Sequence, residues 1–381
     1  MATVIPTIET IDTIAKRLAV AFAARANAAD KQARLPAEDV QALKESGYLL
    51  MSVPREYGGM GLPLKECVAA QLELAQGSTS SAMVAGMQIH MFGNVSENRP
   101  WPGAAFERLC RAAVNGGLFN TAASEPTLGS PSRGGLFETQ AVQRDGGWVV
   151  NGHKTWTTGG KHLTHIVVRL AIGDEPGVVV IPGEASGVEW VETWGDGLSL
   201  RASDSHDLYL RDVWVTDEDV LERGKRDEKT PNAWFPMIMA AVYLGTAIAA
   251  RNAVIQFALE RVPTALGKPI ATLPKIQRQI GEIDLALQAA QALLLDVAGL
   301  WTGDARSKGL YARIAAAKHL ATETANSVTD KALQIAGGTS LTRDLPLERY
   351  FRDTRAGLMQ PPSGDTALEI VGRGAIDSLK D

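Results

Sequence analysis

Only two cysteines, Cys67 and Cys110, and six histidines occur in 381 residues. That scarcity excludes a disulfide-built scaffold, and neither cysteine has a partner at the spacing of a zinc site. A surplus of positive charge is also missing: 38 Lys and Arg stand against 43 Asp and Glu, a net charge of −5 with a pI near 5.8. Without a basic footprint, nucleic acid is not an expected partner. No stretch reads as the unbroken run of about 18–20 apolar residues that crosses a bilayer. The opening MATVIPTIETIDTIAKR carries acids where a secretory signal would be basic. A reduced, cytoplasmic setting with no membrane partner and no bound metal is the expectation. What is present is globular in balance, 45% hydrophobic and 21% charged, with length enough for roughly two or three domains.

Periodicity divides the chain into three. Residues 1–117 alternate helix-compatible stretches such as AEDVQALKESG with breaks at Pro54, Gly58, Gly59 and Pro63. Residues 118–218 are short β-branched and aromatic runs, with His206, Leu208 and Leu210 alternating against Asp207, Tyr209 and Arg211. From 230 to 381 the pattern is helical. Ile276, Ile280, Ile283, Leu287, Ala290, Leu294 and Val297 form one apolar seam. Ile314, Ala317, Ala321, Val328, Ala332 and Ile335 form a second, which ends at Gly337-Gly338. Two long seams must bury against each other, which predicts an antiparallel bundle. The fold class is α+β: helical domain, β domain, four-helix bundle.

Two polar loops carry the chemical signal. SEPTLGS at 124–130 and NGHKTWTTGG at 151–160 flank ETQAVQRDGGWVV, which reads as a hairpin turning at Asp145-Gly146-Gly147. The loops offer the hydroxyls of Ser124, Ser130, Thr157 and Thr158, open backbone N–H groups around Gly129, Gly159 and Gly160, and the broad face of Trp156. Such a lining suits a flat hydrogen-bonding ring with a phosphate tail, although Ser/Thr/Gly turns beside hairpins are more often only turns.

These loops, in order with four further segments, resemble the acyl-CoA dehydrogenase superfamily of flavoproteins. The segments are Asp30, Pro36, Leu43 and Gly47-Tyr48; VPREYGGMGL at 53–62; LRASDSHDLYLRDVWV at 200–215; and LQIAGGTSLTRDLPLERYFRDTR at 333–355. The resemblance implies FAD, with Thr121, Ser124, Gly129, Ser130, Trp156, Thr157 and Thr158 bordering its ring and ribityl chain. It also implies that Gln334, Gly337 and Gly338 reach the adenosine end of a flavin held by a neighbouring subunit, and hence a homodimer or homotetramer. The family's Arg-x-x-Phe-Gly grip on the pyrophosphate is replaced here by Pro263 to Gly267, with Arg261 as a stand-in; FMN or free reduced flavin is the lesser alternative.

The catalytic position departs from the family. Desaturating an acyl thioester requires a carboxylate to remove the α-proton. Counting on from Arg355, the family's Glu falls on Pro361, and its alternative site on Phe235-Pro236. Asp365, one helical turn beyond Pro361 if that segment is helical, is a candidate displaced base; capping of the last helix by Asp365 and Thr366-x-x-Glu369 is the plainer reading. His90 is a second candidate, against a plain core histidine. Arg201, Ser203 and Asp204 are placed at a substrate mouth, against a salt-bridged loop. Three functions follow: two-electron α,β-desaturation of an acyl thioester or related small molecule with a displaced base; a monooxygenase of the same fold fed with reduced flavin by a partner reductase; or a flavin-binding protein without catalysis. The sequence does not name the electron acceptor.

Overall fold

The computed structural model describes residues 9–128, 135–224, 232–302 and 308–380. The N-terminal helices are α1 (Ile11–Gln32), α2 (Ala37–Glu45), α3 (Leu64–Ala75), α4 (Thr79–Asn98) and α5 (Gly103–Val114). Thr10 and Ser78 cap α1 and α4 by accepting the backbone N–H of Thr13 and Ser81. A mixed sheet follows, built from β1 (Phe119–Ala122), β2 (Gln140–Arg144), β3 (Gly147–Thr157), β4 (His165–Ile172), β5 (Glu175–Pro182), β6 (Val188–Val191), β7 (His206–Val215) and β8 (Val220–Arg223). Its order is β6-β7-β3-β2-β4-β5-β8, with β1 alongside β4 in parallel. The sheet therefore runs past the expected limit at 218, since β8 pairs with β5.

The β2–β3 turn sits one residue earlier than the sequence suggests. Asp145 and Gly146 carry φ of +46° and +80°, the two-residue turn whose twist matches the strands. Gly147 is already a strand residue, and a Cβ there would lie 2.4 Å from the Trp214 ring. On β7 the alternation holds, with His206, Leu208 and Leu210 inward.

The C-terminal helices are α6 (Trp234–Glu260), α7 (Pro274–Leu300), α8 (Lys308–Ala336), α9 (Leu347–Thr354), α10 (Ala356–Met359) and α11 (Gly364–Asp377). Helices α6, α7, α8 and α11 make the bundle, and both apolar seams are in its interior. Against the expectation from sequence, α6 and α7 each have the length and apolar composition of a membrane span. In α6 that surface is used inside the protein: it packs on α3, α4, α7, α8 and α9, as a helix apolar on every side must. Gly245 permits a close crossing of α6 on α3, because a Cβ there would meet the Leu72 carbonyl at 2.4 Å. The two helical domains thus share one core across α6, although the sequence separates them by the whole sheet.

Candidate active site

Strand β3 sets the site by a change of parity. Trp148, Val150 and Lys154 face inward, and Lys154 pairs with Leu208, but Thr157 pairs with His206. Three residues against two is a β-bulge, which re-aims the side chains beyond it. Trp156 takes a left-handed φ of +56°, is 60% exposed, and Thr157 turns inward to 1%. A non-glycine residue there costs about 1–2 kcal/mol, and such strain clusters at functional positions.

Hydrogen bonds draw the predicted residues together. Thr155 N–H donates to the Ser124 carbonyl at 2.9 Å, and Gly159 N–H to the Ser203 carbonyl at 3.0 Å. Asn120 Nδ2 donates to the Thr158 carbonyl at 2.8 Å. Thr158 Oγ1 is 2.8 Å from Ser205 Oγ, itself 2.7 Å from Ser203 Oγ. Thr121 and Ser124 are half-buried at the end of β1. The hydroxyl of Thr157 is buried with no partner, a donor left for something else. Gly129 and Ser130 lie outside the described residues.

The anchor of the first loop was missed in the sequence. Glu125 is buried, accepting Lys154 Nζ at 2.7 Å and the N–H groups of Glu138 and Thr139 at 2.7 and 3.0 Å. Burial draws the Lys154 ammonium down to about 8 against the pull of Glu125. Burial raises Glu125, but Lys154 and the N–H donors outweigh it and hold it below the ordinary carboxylate range. A lysine at an inward position of an alternating strand was the available signal.

His90 lies on α4, which packs against β1. Two residues earlier, Gln88 Oε1 accepts the Phe119 N–H at 2.9 Å, seating α4 against the start of β1. The His90 ring packs edge-on to Phe235, with centroids 5.0 Å apart at 88°. Burial lowers it to about 4, so the imidazole is neutral near pH 7.

Other predicted residues lie elsewhere. The helical premise that placed Asp365 on one face with Pro361 fails: α11 starts at Gly364 after the N-cap Ser363, and Asp365 is exposed in its first turn. The Ser363 side chain makes no capping bond, and Thr366 is already inside the helix. Arg261 caps the far end of α6; 27 residues at 1.5 Å each put it about 40 Å from Phe235. Gln334 is exposed on α8 and bonds Asp330, and a Cβ at Gly337 or Gly338 meets nothing within 4 Å. Arg201 Nε donates to the Gly197 carbonyl at 2.7 Å. Asp204 accepts the Leu35 N–H at 2.9 Å and so ties its loop to the helical domain. Among the described residues no His/Cys/Asp/Glu group is arranged for a metal.

Helical domain, bulged sheet and bundle, with a cluster of hydroxyl groups at the strand ends, define an enzyme of the acyl-CoA dehydrogenase fold. Models of the acyl-CoA dehydrogenase N-terminal, middle and C-terminal domains match residues 8–98, 120–213 and 237–359. YdbM of Bacillus subtilis (strain 168), named provisionally as an acyl-CoA dehydrogenase, is 38% identical over 366 residues, covering 95% of each chain. The chain belongs to the acyl-CoA dehydrogenase family. FMN-bound TdsC from Paenibacillus sp. A11-2, a dibenzothiophene monooxygenase, superposes with a TM-score of 0.87 at 22% identity over 97% of each chain. Butyryl-CoA dehydrogenase from Megasphaera elsdenii superposes with a TM-score of 0.84 at 21% identity, over 99% of this chain and all of that one.

Proposed function

We propose that this protein is a flavin-dependent oxidoreductase that works without a carboxylate base, as a monooxygenase supplied with reduced flavin by a partner reductase. The observation that carries this is the loss of every expected base: Pro361, Phe235 and Pro236 hold the two family positions, and Asp365 is exposed at the head of α11. A bound flavin supplies two-electron redox chemistry. Thr121, Ser124, Trp156, Thr157 and Thr158 would hold its ring, and the unpartnered Thr157 hydroxyl fits the donor requirement of a ring that gathers negative charge. Neutral His90 would hold or accept a proton from a substrate O–H or N–H. Arg201 and Ser203 would shape the mouth rather than react, Arg201 Nε and the Ser203 hydroxyl being already bonded.

The ring and ribityl chain would sit within one subunit. FAD, our preferred flavin over FMN, would need Gln334, Gly337, Gly338 and Arg261 from a neighbour, in a homodimer or homotetramer. The open glycines and the apolar outer side of α7, where Leu285 is 71% exposed, support such an assembly. Both cysteines are free and buried, in keeping with a reducing cytoplasm.

A second reading, dehydrogenation of an acyl thioester, is favoured by the 38% identity to YdbM. Anaerobic titrations separate the two. The monooxygenase reading predicts that reduced flavin binds at least about tenfold more tightly than oxidised flavin; tighter binding of the oxidised form, retained through purification, would return the dehydrogenase reading.

A further inference from the structure

Thr158 stands just past the end of β3, where the pairing with β7 stops at Thr157 and His206. Its carbonyl must therefore find a donor outside the strand ladder. Asn120, 2% exposed on β1, supplies one. Its Nδ2 donates to the Thr158 oxygen at 2.8 Å, while Oδ1 of the same side chain accepts the Thr121 N–H at 2.6 Å. A single carboxamide thus holds the backbone of both segments that carry the flavin candidates, and no sequence motif pointed to it.

The peptide that Asn120 grips is held at its other end as well. Gly159 N–H, which shares that peptide with the Thr158 carbonyl, donates to the Ser203 carbonyl at 3.0 Å. Asn120, the 158–159 peptide and the Ser203 carbonyl form one chain of amide dipoles, in which each bond polarises the next. The Thr158 hydroxyl reaches the same loop through Ser205 at 2.8 Å. Beside it, the Thr157 hydroxyl is buried without a partner. The segment therefore has its carbonyl at 158 committed to an internal bond and a hydroxyl donor at 157 still to be used.

We infer that Asn120 is a positioning residue for the flavin and biases this site toward the reduced form. The inference rests on the flavin reading given above. A reduced ring gathers negative charge, which a nearby carbonyl dipole opposes and a hydroxyl donor favours. By occupying the Thr158 oxygen, Asn120 leaves the segment with donors rather than an acceptor to offer. The residue type matters, because only a carboxamide brings a donor for Thr158 and an acceptor for Thr121 on one short stem.

The test measures anaerobic dissociation constants of oxidised and reduced FMN for the full-length protein and for Asn120→Leu, which keeps the branched shape and loses both polar atoms. No turnover is required. In the variant the ratio of reduced to oxidised affinity should fall about tenfold, which a midpoint potential of the bound flavin should report as a drop of about 30 mV, the two-electron equivalent. A merely structural part would weaken both redox forms alike and leave the potential where it was. Should Asn120→Leu fail to fold, Asn120→Ser, too short to reach Thr158, should move the ratio in the same direction. Equal losses for the two forms, or an unchanged ratio, would overturn the inference. A wild type that takes FMN in neither form would overturn it together with the flavin reading. One that prefers oxidised FMN would remove the monooxygenase reading alone, since the inference is read from the change between variant and wild type.

Discussion

At the residue scale, the candidate site rests on a few buried ionisable and strained groups. The Glu125–Lys154 pair is shielded on both sides, with side chains 1% and 0% exposed. Lys154→Met would leave a buried carboxylate without its counter-charge, a loss of about 3–5 kcal/mol. Urea unfolding should show it, together with loss of order in the Ser124 loop; a change below about 1 kcal/mol would mean that the pair is dispensable. His90 gives a pH prediction. Its folded value of about 4 lies below the ordinary histidine value of 6.5. The stability it contributes is therefore complete above pH 6.5 and is lost as pH falls through 4. An imidazole NMR titration should find His90 neutral at about pH 5.5, and a midpoint near 6.5 would contradict the packing described. Trp156 was visible in sequence as an aromatic face, but its exposure was not: simple alternation with Lys154 turns it inward, and only the bulge, a feature of strand pairing, reverses it.

At the element scale, α9 fastens the three parts of the chain. Arg352 donates to both oxygens of Asp30 on α1, at 3.1 and 2.7 Å, and to Glu348. Asp353 accepts the Leu200 N–H at 2.7 Å, holding the loop that carries Arg201 and Ser203. Burial, partly countered by Arg349, raises Asp353 to about 6. The sign is opposite to that of His90: stability from this group is complete below its ordinary 3.8 and is lost as pH rises through 6. Asp353→Asn keeps the acceptor and removes the charge. It should stabilise the protein at pH 8 by about 1–3 kcal/mol, since each tenfold change in proton affinity is worth about 1.36 kcal/mol, and hardly at all at pH 4. Denaturation midpoints at the two pH values check this; a loss at pH 8 would show that the carboxylate charge is needed. The apolar seams of α7 and α8 were legible because a helix buries one stripe and the stripe recurs in sequence. Helix α6 carries no such stripe, since it is buried on nearly every side, and its composition alone does not distinguish a bundle core from a membrane span. The start of α11 was misread for a local reason: Asp365 and Thr366 suit a cap, but the chain enters the helix at Ser363.

At the scale of the whole molecule, the hydroxyl cluster at the strand ends and the open end of α8 belong to different domains of the chain, and the proposed reading joins them only in an oligomer. Gly338 offers a clean probe, because a side chain there meets no atom of its own subunit within 4 Å. Gly338→Phe should fold normally and bind FMN unchanged, but lose about tenfold or more in FAD affinity, the scale of one or two lost hydrogen bonds. Equal losses for both flavins would place the adenylate end elsewhere. The order of the three domains was readable from sequence because each has its own periodicity. Their shared core was not, because it depends on contacts between residues far apart in the chain, such as Thr79 with Thr246.

The central claim is that this site has lost the family's carboxylate base. It is tested most directly by the rate at which butyryl-CoA, mixed anaerobically with the flavin-loaded protein, bleaches the oxidised flavin in the wild type and in Pro361→Glu. The expected result is no bleaching in the wild type and a gain of at least about 100-fold once a carboxylate is restored, the usual worth of a placed general base. Rapid bleaching of the wild type, unchanged by the added glutamate, would contradict it.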